Sequence, residues 1–185
     1  MEFIKKNPKI YILSGCAQSG KNETAKIIKE YYEKNNKKTV ILAYAKYLKD
    51  YIKEITNWDG EENTKPRELL QQLGIELIKN QIDENMLLNR IKQDIKVYEY
   101  FFDIIIISDA RLKKEIEEIK KEYKNITVIK IEGKENNLTE QQRNHITETE
   151  LKNYNNYDYI IKNNKTKEKL KKQIEKIMEE TKWIK

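Results

Sequence analysis

Residues 10–25 constrain the fold more than any other part of the 185-residue chain. Ile10-Tyr11-Ile12-Leu13-Ser14 is a short apolar run, and Gly15-Cys16-Ala17-Gln18-Ser19-Gly20-Lys21-Asn22 follows it directly. Ala25, Ile27, Ile28, Tyr31 and Tyr32 then recur at helical spacing. Strand, glycine-bounded loop and helix in that order make a GxxxxGK phosphate-binding loop, the P-loop. Gly15 lets the chain turn sharply off the strand, and Gly20 lets backbone approach a phosphate without an intervening Cβ. The amides of Ala17, Gln18, Ser19 and Gly20 would point at an anion lying at the positive end of the following helix. Lys21 adds a mobile full charge for the β- and γ-phosphates of ATP. Asn22 stands where Ser or Thr normally gives a hydroxyl to Mg²⁺. Its amide oxygen can coordinate the ion or hold one of its waters.

Size and composition narrow the class. The length suits one domain over residues 1–185, able to bury a core without disulfides. Charged residues make up 37% and apolar ones 38%, but the apolar residues cluster, which argues against disorder. No apolar run reaches membrane-spanning length and no signal-peptide core is present, so a soluble cytoplasmic protein with no membrane partner is expected. Cys16 is the only cysteine and has no disulfide or metal-ligand companion. The net charge of +6 is spread through a chain crowded with lysine and glutamate, which reads as a solvated surface. A nucleic-acid partner is therefore not expected; a homodimer stays open. Against that lysine background only four of the 37 basic residues are arginine: Arg67, Arg90, Arg111 and Arg143. Arginine is required where a planar, two-pronged grip on phosphate is needed, so each is a candidate.

Five strands alternate with helices: residues 10–14, 39–43, 103–109, 126–131 and 157–161. That alternation predicts an α/β protein, a three-layer α/β/α sandwich on a five-stranded parallel sheet with ligands at the strands' carboxyl ends. Ile104 to Ile107 should be buried on both faces. Asp109 ends that strand, where an acid positions Mg²⁺ or its waters, or caps the following helix. Helices are expected over 44–55, from Pro66 with Leu69, Leu70, Leu73, Leu77 and Ile78 as its stripe, and over 84–98. Residues 133–144 are polar and aperiodic, as a mobile lid would be. Arg143 and His145 lie at its end; the histidine either orients the lid or caps a helix, or acts as an acid–base group. A short helix over 146–154 should enter through Thr147, with Glu150 three residues on as a capping box.

Four stretches together resemble the phage-type deoxynucleoside monophosphate kinases, a branch of the P-loop nucleoside and nucleotide kinases. They are Ser14 to Asn22, Lys65-Pro66-Arg67-Glu68-Leu69-Leu70-Gln71-Gln72-Leu73-Gly74, Ile106-Ile107-Ser108-Asp109-Ala110-Arg111, and His145-Ile146-Thr147-Glu148-Thr149-Glu150-Leu151. The resemblance implies transfer of the γ-phosphoryl group of ATP, with Mg²⁺, to a small-molecule (deoxy)nucleoside monophosphate. It implies catalysis by Lys21, Asp109, Arg111 and Arg143, and an acceptor region at about 44–99 carrying Arg67, Gln71 and Lys49. Glu148 is assigned to the acceptor, the lid to about 133–147, Asn163 to the adenine pocket, and Asn22 and Asp109 to the metal. Lys46 departs from the family pattern, where an aspartate is common. Two alternatives stand beside this reading: a P-loop kinase of another phosphorylated metabolite such as phosphomevalonate, and a non-kinase nucleotide-binding or ATPase module.

Overall fold

Runs of β-branched residues form strands that are stable only when both faces are covered. A computed structural model describes residues 2–61, 63–133 and 138–181. The chain runs β1 (Lys9–Ser14), α1 (Lys21–Lys34), β2 (Thr39–Leu42), α2 (Tyr44–Thr56) and α3 (Arg67–Gln71). A π-helical stretch, Gln72–Ile82, continues α3 without a break and is followed by α4 (Met86–Tyr98), β3 (Ile104–Ala110), α5 (Lys113–Glu122) and β4 (Ile126–Gly133). Two short helices, α6 (Glu140–Asn144) and α7 (Ile146–Thr149), precede β5 (Tyr159–Asn163) and α8 (Lys167–Glu180). The five strands form one parallel sheet in the order β2-β3-β1-β4-β5.

Successive residues of each strand feed opposite layers. Tyr11, Leu13, Ile104, Ile106, Ile129 and Ile131 pack with Ala25, Ile28 and Tyr32 of α1 and with Leu170, Ile174 and Met178 of α8. Ile10, Ile12, Ile105, Ile107 and Val128 pack on the other face with Leu88, Ile91 and Ile95 of α4 and Ile116 and Ile119 of α5. The result is the expected three-layer α/β/α sandwich, with β1 central. The chain order reverses on either side of β1, and a crevice opens at the carboxyl ends there. Pairing of β1 with β3 shifts register between Ile12 and Ser14, just where the strand gives way to the loop.

Three local expectations need correction. The helix after Pro66 is mostly not α-helical, since residues 72–82 bond i→i+5. Leu70, Gly74 and Ile78 turn inward at intervals of four while Leu69 and Leu77 are exposed, so only part of the predicted stripe, Leu70 and Ile78, is buried. Gly74 packs closely on α2, where a Cβ would lie 2.9 Å from Leu48 Cδ1 and make that side chain shift. The helix from Ile146 ends at Thr149, and its cap is His145 rather than Thr147. The capping box sits instead on Thr139 and Gln142, which start the unexpected helix α6. Of the expected lid, residues 134–137 lie outside the described residues.

Candidate active site

Residues 15–20 form a tight loop between β1 and α1. Helix α1 starts on Gly20 without a side-chain cap, so its first-turn amides face the loop. Gly15, Gln18 and Gly20 all have positive φ, at 145°, 61° and 99°. The two glycines answer to packing as well as to turning. A Cβ on Gly15 would fall 2.3 Å from the Ile131 carbonyl oxygen, and one on Gly20 would fall 2.2 Å from Asn163 Nδ2. Asn163 donates from Nδ2 to the Ser19 carbonyl at 2.9 Å, tying the end of β5 to the loop. Lys21 folds back over the loop, donating from Nζ to the carbonyls of Gly15 and Cys16, each at 2.7 Å. It is buried, and that burial, with the Arg111 charge adding, pulls its ammonium down to about 7.

Beside the loop, three charged residues are fastened by protein groups. Asp109 accepts from the Tyr44 amide at 2.8 Å on Oδ1 and from the Ala45 amide at 2.9 Å on Oδ2. It therefore caps α2, which has no cap of its own, and not the following helix. Glu148 is buried; its Oε2 accepts from the Ala17 amide at 2.8 Å and its Oε1 pairs with Arg111 Nη1. The Arg111 amide donates to Glu115 Oε2 at 2.7 Å, and the Leu112 amide at 3.0 Å. Desolvation pushes the Glu115 carboxyl up to about 7, with the Asp109 charge contributing.

Two clefts meet at this point. One, of about 160 Å³, is lined by Arg67, Gln71, Asp109 and Arg111 over an apolar wall that includes Leu70, Ile75 and Leu87. The other, of about 450 Å³, is lined by Ser14, Gly15, Cys16, Lys130, Arg143 and Tyr157. Ala17, Arg111, Thr147 and Glu148 line both. The expected residues Arg67, Gln71, Asp109 and Arg111 thus share one cleft, while Arg143 faces the other. Asn163 lines neither and braces the loop; Lys49 also lines neither, and Asn22 is exposed outside both. Arg90 is elsewhere, its guanidinium 5.4 Å from the Tyr47 ring centroid and 3.4 Å from the Tyr51 hydroxyl.

The model of the deoxynucleotide monophosphate kinase family matches residues 34–174, most of the chain. The chain belongs to that family. The kinase is a phosphotransferase whose P-loop precedes the matched segment and completes it. No curated protein matches. Among solved structures, an APS kinase from Mycobacterium tuberculosis superposes with a TM-score of 0.57 at 11% identity, covering 94% of this chain and 98% of that one. The shikimate kinase of Aquifex aeolicus superposes at 0.50 and 15% identity, covering 92% of this chain and 96% of its own. At such identities the likeness is one of fold.

Sequence reasoning missed the contacts that join the kinase's two halves. Gln71 Nε2 donates to Thr147 Oγ1 at 3.4 Å, so α3 touches α7. His145 Nδ1 lies 2.9 Å from the same hydroxyl and accepts from the Thr147 amide at 3.3 Å. Burial lowers the His145 pKa, which keeps the ring neutral as an acceptor requires. The only signal for these links was the His-x-Thr-Glu stretch itself, and nothing local in it says what each residue touches. Among the described residues, no helix is long and apolar enough to cross a membrane.

Proposed function

We propose that the protein transfers the γ-phosphoryl group of ATP to a deoxynucleoside monophosphate, giving the diphosphate and ADP. The observation that carries this reading is the junction of the two clefts at Ala17, Arg111, Thr147 and Glu148. A donor seated on the loop and an acceptor seated beside Arg67 would bring their phosphates together there. An oxygen of the monophosphate attacks the γ-phosphorus, the bond to the β-phosphate oxygen breaks, and ADP leaves. Such a reaction needs two polyanions held in line more than it needs covalent help. Lys21 and the loop amides hold the donor phosphates, Arg67 grips the acceptor phosphate with Gln71 one turn on, and Arg111 lies between them. Arg143, on the segment expected as a lid, closes on the triphosphate and helps exclude water.

Mg²⁺ would neutralise charge on the donor phosphates when bound. Among the described residues no group of three or more His, Cys, Asp or Glu could hold a metal. That fits Mg²⁺, which is usually held by one or two carboxylates, by substrate phosphates and by water. Asp109 keeps a lone pair on each oxygen after accepting its two amides, so it can receive a metal-bound water. Asn22 offers an amide oxygen at the start of α1.

The deciding experiment incubates the protein with Mg-ATP and each nucleoside or deoxynucleoside monophosphate in turn. Diphosphate should appear with a deoxynucleotide acceptor. ATP hydrolysis indifferent to any acceptor, or turnover confined to phosphomevalonate, would overturn the reading.

A further inference from the structure

We propose that Glu148 is a positioning residue that keeps the place of a donor phosphate and holds Arg111 at the junction of the clefts. The resemblance assigned this residue to the acceptor; in the structure each of its oxygens also meets a protein group. Oε2 accepts from the Ala17 amide, inside the phosphate-binding loop, and Oε1 pairs with the Arg111 guanidinium. Its side chain is 5% exposed, so the carboxylate has given up water and depends on these two partners. A loop amide and an arginine are also partners that a phosphate of the bound donor nucleotide, whether ATP or ADP, would need. A carboxylate and a phosphate oxygen compete for the same donors, so the inner loop can receive the donor phosphate only as Glu148 leaves Ala17.

The geometry also fixes where Glu148 can go. It sits on α7, whose start is capped by His145 and whose Thr147 hydroxyl meets Gln71 of the acceptor-side helix. Swinging off Ala17 leaves the carboxylate on Arg111, which keeps that guanidinium facing the junction instead of folding onto the donor phosphates. Glu148 therefore costs donor affinity and contributes to turnover.

This inference rests on the kinase reading for its second half only, and the test separates the two. Glu148→Gln is nearly isosteric, yet its amide cannot accept from Ala17 and Arg111 at once, because one end is a donor. ADP and adenosine would be titrated calorimetrically into wild type, Glu148→Gln and Glu148→Ala, with melting temperatures recorded. Both variants should bind ADP about tenfold tighter, the worth of one charge-assisted hydrogen bond released, with adenosine affinity unchanged. With a productive acceptor, kcat should fall about a hundredfold, as expected for a misplaced phosphate-binding group. General damage to the fold would weaken both ligands, and simple removal of a negative charge would tighten ADP without slowing turnover. Unchanged or weaker ADP binding, or an unchanged kcat, would overturn the proposal. Should wild type make no diphosphate at all, the kinase reading fails alone and the binding comparison still decides the place-holding role.

Discussion

Replacing Asp109 should destabilise the protein before it says anything about metal. Both carboxylate oxygens accept backbone amides at the start of α2, at 2.8 and 2.9 Å. That helix has no side-chain cap from its own Ala43 and no acidic residue in its first turn. Asp109 thus supplies from the next strand what an N-cap residue supplies locally. A hydrogen bond to a charged group contributes roughly 1.5–3 kcal/mol, and a lost N-cap typically costs about 1 kcal/mol. Water can reach the freed amides of this half-buried site, so Asp109→Ala should cost about 3 kcal/mol, the lower end of two such bonds. For a chain of this length that lowers the melting temperature by about 6–12 °C. Asp109→Asn keeps one acceptor and turns an amine toward the other N–H, so it should lose more than half as much. Thermal unfolding followed by circular dichroism measures both, and activity should be compared only at temperatures where each variant is folded. An Asp109→Ala protein that melts within about 2 °C of wild type would refute the capping account.

Arg67→Ala should raise the acceptor KM by about tenfold or more with the ATP KM nearly unchanged, since a charged phosphate contact is lost; steady-state kinetics with each substrate varied would show it. At pH 8 the Lys21 amine, pulled down to about 7, is mostly neutral in the free protein. A bound triphosphate should restore its charge, so ATP binding should take up close to one proton, measurable by calorimetry in buffers of different ionisation enthalpy, and Lys21→Ala should abolish that uptake. Gly20→Ala meets both a φ of 99° and the Asn163 amide, and should destabilise by about 2–4 kcal/mol, backbone strain with steric overlap added. Asn163→Ala alone loses one hydrogen bond, about 1 kcal/mol, and the double variant should be more stable than the sum of the two losses predicts; simple additivity would count against the contact.

What the sequence made legible was whatever depends on near neighbours. The strand–loop–helix around Lys21 carries its own geometry, and the isoleucine run of β3 announces burial on both faces without knowledge of the partners. The π-helical stretch was hidden because Leu69, Leu73 and Leu77 satisfy helical spacing, and the close approach of Gly74 to Leu48, 26 positions away, leaves no mark in that spacing. Asp109 was recognised as a strand-end acid, yet its partners belong to a helix 65 residues earlier. Asn163 and Glu148 were singled out for ligands, and their grip on the loop, at separations of 144 and 131 residues, was not foreseen. Spacing within one element says nothing about such long-range contacts.

Asp109 has a consequence for how this enzyme can change its diet. By seating its carboxylate on the start of α2, the protein spends a helix's natural attraction for anions on itself, so on the proposed reading an acceptor phosphate would fall to side chains such as Arg67 and Arg111. The donor, in contrast, would be addressed largely by main-chain amides, which only a proline substitution removes. On that reading, new acceptors would be tried by swapping side chains peculiar to the first cleft, such as those around Arg67, and leaving alone Arg111, Thr147 and Glu148, which both clefts share.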